Sequence, residues 1–234
     1  MKEWYNLSMA TIRKDALINR QFYHIYSRSI AKFIIFNNTI EFSRALELID
    51  LFRFKNFEYR MSSFKALSQA SQTTIVEELK EKSNRIVDII AYCFMPTHIH
   101  LLLRQNMDKG ITKFMGRVLN SYSKFFNTTH ERSGPLWTSR FKNVLIKKDE
   151  QLLHLTRYIH LNPTSAGLVE KPEDWEFSSY REYINLIRIE NPICSKKDIF
   201  NISPKAYKKF VNDRKSYQRE LALIKNALID NYAG

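Results

Sequence analysis

Residues 21–28, QFYHIYSR, alternate apolar with polar positions and are rich in aromatic side chains, a period of two that predicts a β-strand. From Asn38 to Phe52 the period changes. Phe42, Leu46, Ile49 and Phe52 recur at helical spacing behind Asn38 and Thr39, either of which can cap a helix N-terminus. Residues 54–84 hold two helical patterns around a polar centre, Ser68 to Thr74, which predicts an inserted helical hairpin. Two strand patterns follow almost without interruption, RIVDIIAYCFM at 85–95 and HIHLLLRQ at 98–105, leaving Pro96 and Thr97 for the turn of an antiparallel pair. Over 111–126, Ile111, Phe114, Met115, Val118, Leu119 and Tyr122 share one side while Lys113, Arg117 and Lys124 lie elsewhere, the pattern of an amphipathic basic helix. After the Gly134-Pro135 turn comes a strand pattern at 141–148. A helix is then predicted from Asp149, with acids in its first turn, to about Asn162, where Pro163 should stop it.

This order implies an α+β fold of ferredoxin-like kind, an antiparallel sheet covered by helices. We expect a main domain over residues 1–184, with 54–84 as its insert, and a small basic helical C-terminal extension over 185–234. The extension carries Lys196, Lys197, Lys205, Lys208, Lys209, Arg214, Lys215, Arg219 and Lys225 among few acids. No internal repeat and no low-complexity tract interrupts the chain.

At 44% hydrophobic residues and five glycines in 234 residues, a packed core is the default and disorder is not. Lys and Arg number 37 against 24 Asp and Glu, a formal charge of +13 that points to a polyanionic partner. Charge alone does not separate DNA from RNA or from a membrane surface. No run approaches the roughly 18 apolar residues of a membrane span, and the N-terminal stretch lacks the apolar region of a signal peptide. Cys93 and Cys194 form no CxxC pair and read as reduced thiols. The expectation is a cytoplasmic protein, off the membrane.

His98 and His100 flank Ile99 within a strand pattern, so both imidazoles fall on one face, where two neutral nitrogens can share a divalent ion. Ordinary surface or core histidines have the same spacing. The run Leu101 to Leu103 sets the pair at the head of a buried strand, where unpartnered imidazoles are costly. On the last helix Tyr158 and Asn162 are four apart and His154 lies four before, so a phenol nucleophile and a carboxamide project together. Equally, Tyr158 can cap the core and Asn162 end the helix before proline. His154 is a candidate for proton movement or a plain surface residue, and His160 points away from that face. Trp137 and Trp175 can stack on bases or anchor loops. No HExxH motif supports a zinc hydrolase.

MPTHIHLLL at 95–103 resembles the histidine-hydrophobic-histidine motif of the HUH single-tyrosine transposases, and RYIHLNPTSAGLV at 157–169 resembles the tyrosine helix of their REP-associated tyrosine transposase branch. YHIYSR at 23–28 and LWTSRFKNVLI at 136–146 are similar to the same branch, in the same order. The resemblance covers about residues 20–180; the 54–84 insert and the tail beyond 185 carry no motif of it. It implies that Tyr158 is the nucleophile, that His98 and His100 are metal ligands, and that Asn162 is the third protein ligand, where the broader class often has glutamine.

The metal implied is Mg²⁺ or Mn²⁺, the former favoured by availability and the latter by its match to imidazole. The implied substrate is single-stranded or hairpin DNA from palindromic repeats, cut and rejoined through a 5′-phosphotyrosine; a mobile element and a domesticated one both fit this chemistry. Arg140 falls inside a matching motif and heads the candidates for backbone contacts, followed by Arg104, Arg117, Lys142, Lys147 and Lys148. The active form is expected to be a monomer or a homodimer. A domesticated regulator that grips a DNA hairpin without cutting it and an HUH replication or mobilisation nuclease are the alternatives.

Overall fold

In the computed structural model, residues 15–82, 84–186, 192–196 and 199–213 are described. They form strands β1 (Phe22–Arg28), β2 (Val87–Met95), β3 (His98–Gln105) and β4 (Lys142–Ile146). The helices are α1 (Thr39–Phe52), α2 (Met61–Lys65), α3 (Gln69–Lys82), α4 (Gly110–Thr129), α5 (Asp149–Ser165), α6 (Tyr180–Tyr183) and α7 (Pro204–Asn212). The strands make one antiparallel sheet in the order β2-β3-β1-β4, the ferredoxin-like arrangement expected from the element order.

Strand alternation divides the core into two layers. Tyr23, Ile25, Ile99, Leu101 and Leu103 face α1 and α4, packing with Phe42, Ile49, Phe114, Met115 and Tyr122. Leu102, Cys93, Met95 and Ile146 face the other way, against Leu152, Leu155 and Ile159 of α5. A bulge at Ile89/Ala91 shifts the phase of β2, so that Cys93 and Met95 stand opposite His100 and His98. The β2–β3 turn is clamped by the segment after β1. Ile35 and Phe36 donate to the Pro96 carbonyl at 2.9 and 3.1 Å, and Ser29 donates to that of Thr97 at 2.9 Å.

Helix starts follow local chemistry. The Asn38 side chain accepts the Glu41 N–H at 3.1 Å, and the Glu41 carboxylate accepts the Asn37 N–H at 2.6 Å, so α1 begins where the capping residues predict. Gly110 opens α4 because an added Cβ would sit 2.4 Å from the Ile86 carbonyl oxygen.

Two boundaries differ from expectation. The polar residues from Gln69 lie inside α3 rather than in a turn, because the Ser68 hydroxyl accepts the Ser71 N–H at 3.2 Å and caps the helix earlier. Thr73 and Thr74 then return their hydroxyls to the carbonyls four residues back. Pro163 does not stop α5, which runs to Ser165. A proline in the last turn removes only one helical bond, and the chain leaves the helix at Gly167, whose φ of +68° suits a left-handed cap. There the Leu168 N–H closes onto the Pro163 carbonyl at 2.9 Å.

The described part of 185–213 packs on the body. Ser195 donates to the Ile89 carbonyl at 2.8 Å along the outer edge of β2, and Tyr207 and Val211 of α7 are buried in the larger core. Phe177 and Ser179 cover the same edge further along, which leaves less of it open to another chain. Lys197, Arg214, Lys215, Arg219 and Lys225 lie outside the described residues. Both cysteines are buried free thiols. Among the described residues no helix is long and apolar enough to cross a membrane.

Candidate active site

The alternation that buries Ile99, Leu101 and Leu103 on one side turns His98, His100 and Leu102 toward α5. Antiparallel register sets Tyr26 beside His100 and Arg28 beside His98. Anchored by Leu155 and Ile159, α5 brings Tyr158 over this face. Its ring centroid is 5.9 Å from that of His100 and 6.2 Å from that of His24, edge-on in both cases. The His98 and His100 rings are 5.1 Å apart and nearly perpendicular, and Tyr26 packs against both at 5.5 and 5.0 Å. Phenol and imidazole pair thus meet in space, as the motif order implies.

In each histidine of the pair a protein group engages Nδ1. Thr97 Oγ1 lies 2.9 Å from Nδ1 of His98, and His24 Nε2 lies 3.0 Å from Nδ1 of His100. With Nδ1 engaged in this way, Nε2 is the atom each ring would offer a cation. Burial above all, helped by the neighbouring His98, His24 and Arg28, holds the His100 pKa well below the usual imidazole value. His100 is therefore neutral, the state that ligation requires.

Asn162 sits one turn beyond Tyr158. Its Nδ2 donates to the Tyr158 carbonyl at 3.0 Å, so Oδ1 is the atom it can offer a cation. Among the described residues no trio of His, Cys, Asp or Glu side chains is disposed to hold a metal. The residues that the motifs single out would offer a cation two imidazoles and an amide oxygen, with water or phosphate oxygens completing its shell. That donor set fits a Mg²⁺- or Mn²⁺-type ion that keeps solvent better than a zinc closed in by four protein ligands.

His24 is the component that sequence reading missed. It shares strand parity with Tyr26 and Arg28, a signal present in the pattern, but only the strand register reveals that it reaches His100. His154 turns toward α7, its ring 5.5 Å from Phe210. Trp137 and Trp175 are loop anchors, donating from Nε1 to the carbonyls of Leu119 at 3.2 Å and Phe94 at 3.0 Å.

The six candidate cations divide into two groups. Arg140, Lys142, Lys147 and Lys148 are exposed along β4 and its flanks. Arg104 binds Asp88 Oδ2 through Nε and a terminal nitrogen at 3.0 and 2.7 Å, and Arg117 lies 4.1 Å over the Phe52 ring.

Residues 56–162 match the family model described as "Transposase IS200 like", a stretch that holds His98, His100, Tyr158 and Asn162 and includes α2 and α3, where the sequence motifs found no match. Over 103 residues the chain is 32% identical to the "Putative REP-associated tyrosine transposase" of Haemophilus influenzae, covering 40% of this chain and 58% of that protein. It is 26% identical over 102 residues to the REP-associated tyrosine transposase of Escherichia coli K12, covering 44% and 59% respectively. The match thus spans under three fifths of the length of these curated relatives. Among solved structures, a REP-associated tyrosine transposase bound to a REP hairpin is similar at a TM-score of 0.49 and 17% identity, over 87% of this chain and 96% of that one. The resemblance drawn from the four motifs is borne out.

Proposed function

We propose that the chain, whose residues 56–162 match the IS200-like transposase family model, is a metal-dependent transposase that cuts and rejoins single-stranded or hairpin DNA through Tyr158. The observation that carries this reading is the position of the Tyr158 ring, edge-on to His100 at 5.9 Å on the face that also bears His98.

A free phenol has a pKa of about 10 and attacks phosphorus poorly near neutral pH. His98 and His100 through Nε2, with Asn162 through Oδ1, would hold a divalent ion, which when bound supplies charge neutralisation at a non-bridging oxygen of the scissile phosphate. Tyr158 forms the new P–O bond as the P–O3′ bond breaks, leaving a 5′-phosphotyrosine and a free 3′-hydroxyl. One phosphoester replaces another, so rejoining needs no external energy source. The exposed Arg140, Lys142, Lys147 and Lys148 track the backbone on either side.

The test is covalent trapping. With Mn²⁺ or Mg²⁺, a labelled single-stranded or hairpin oligonucleotide should migrate with the denatured wild-type protein, and not with Tyr158→Phe or after EDTA treatment. Cleavage by the Phe variant would remove Tyr158 from its role. Tight hairpin binding by the wild type with no adduct under any metal would favour a non-cleaving regulator.

A further inference from the structure

The contact between His24 and His100 constrains the site more tightly than a packing contact would. Both residues are fully buried, their rings lie edge to edge with centroids 5.3 Å apart and 20° between planes, and Nε2 of His24 lies 3.0 Å from Nδ1 of His100. A hydrogen bond at that separation needs an N–H on one ring and a lone pair on the other. If His24 donates it, His100 carries its own proton on Nε2 and that atom has no lone pair to give. If His100 donates, Nε2 of His100 is a ligand.

Thr97 imposes no such choice on His98, because a hydroxyl can donate or accept and adapts to either tautomer. The His24–His100 bond lacks this freedom. Tyr158 stands across both rings, at 78° to His24 and 89° to His100, so the shared proton is decided beneath the nucleophile.

We propose that His24 is a positioning residue: its Nε2 accepts the Nδ1–H of His100 and so fixes the tautomer in which Nε2 of His100 faces a cation as a lone pair. The proposal rests on the metal-dependent reading above and assigns to β1, outside the matched stretch, a part in building the site. Groups that hold the far nitrogen of a metal-bound imidazole commonly contribute a factor of about 10–100 in metal affinity.

The test has two arms. Long-range ¹H–¹⁵N spectra of histidine-labelled, metal-free protein read the tautomer directly, and we expect His100 protonated on Nδ1; protonation on Nε2 overturns the proposal whether or not metal binds. In the second arm Mn²⁺ affinity is measured by calorimetry. His24→Phe keeps the ring and loses the acceptor, and should weaken binding by about 10-fold or more, while His24→Gln, whose Oε1 can accept, recovers most of it. If His24→Phe binds Mn²⁺ like the wild type while His98→Ala does not, His24 only fills space. A wild type that binds no Mn²⁺ at all would overturn the metal reading and the proposal together, whereas failure of His24→Phe alone spares the former.

Discussion

His160 and Tyr207 share a buried 2.7 Å hydrogen bond between Nδ1 and the phenol, on the side of α5 turned away from the sheet histidines. Two residues along a helix rotate the side chain by about 200°, so Tyr158 and His160 serve opposite surroundings. The second nitrogen of His160 meets Ser179 Oγ at 2.7 Å, and the Tyr207 hydroxyl continues to Thr156 at 2.9 Å. Burial, with Lys196 adding to it, lowers the His160 pKa to about 3, so the ring is neutral and belongs to the architecture. Tyr207→Phe strips partners from two buried groups and should destabilise the fold by about 1–3 kcal/mol. Thermal denaturation should show the loss, while adduct formation per folded molecule stays at the wild-type level.

The metal set gives a graded prediction. His98 is only partly buried, and His98→Ala should fold normally while Mn²⁺ binding by calorimetry and cleavage by gel assay are both lost. Asn162→Ala should do less to binding, since an amide oxygen is a weaker donor than imidazole and water can take its place. Full cleavage by His98→Ala at limiting metal would end the ligand assignment.

Much of this arrangement was legible in the chain because the sheet and helices write their periods plainly. Strand parity placed His98 and His100 on one face, and the four-residue spacing placed Tyr158 with Asn162. What could not be read was register. Nothing local to YHIYSR states that His24 will lie against His100, because that contact is set by how β1 slides along β3. The partners of Arg104 and Arg117 are hidden for the same reason: charge is visible in a sequence, whereas an Asp88 across the strand pair or a Phe52 ring beneath a guanidinium is not. The end of α5 differs because Pro163 reads as a stop signal, whereas Gly167 does the terminating.

That division of the cations is itself testable. Replacing Arg140, Lys142, Lys147 and Lys148 with Gln should weaken single-stranded DNA binding in proportion to the number changed and flatten its salt dependence by roughly 0.7 in slope for each phosphate no longer neutralised. Arg104→Gln and Arg117→Gln should instead lower the unfolding temperature, with little change in that slope. Fluorescence anisotropy across a salt series, beside a thermal melt, separates the two groups; a flattened slope for Arg117→Gln would move it among the residues that touch DNA.

The remaining prediction concerns acid stability and turns on Glu41, a carboxylate with 1% relative exposure at the start of α1. Burial works to raise its pKa, but the Asn37 N–H at 2.6 Å, the Asn37 side chain and the His130 ring at 2.7 Å outweigh it, and the net shift is downward. A carboxyl whose folded pKa lies below the unfolded value of about 4.3 binds protons less readily in the native state. Its stabilisation is complete above that value and disappears as pH falls through the folded pKa. Wild type should therefore melt at a higher temperature than Glu41→Gln at pH 7 and at pH 5, and the two curves should converge as the pH is lowered through 4 toward 3. Gln keeps an acceptor for the Asn37 N–H, so the comparison isolates the charge. A gap between the variants that persists unchanged at pH 3 would show that the ionised carboxylate is not what secures the start of α1.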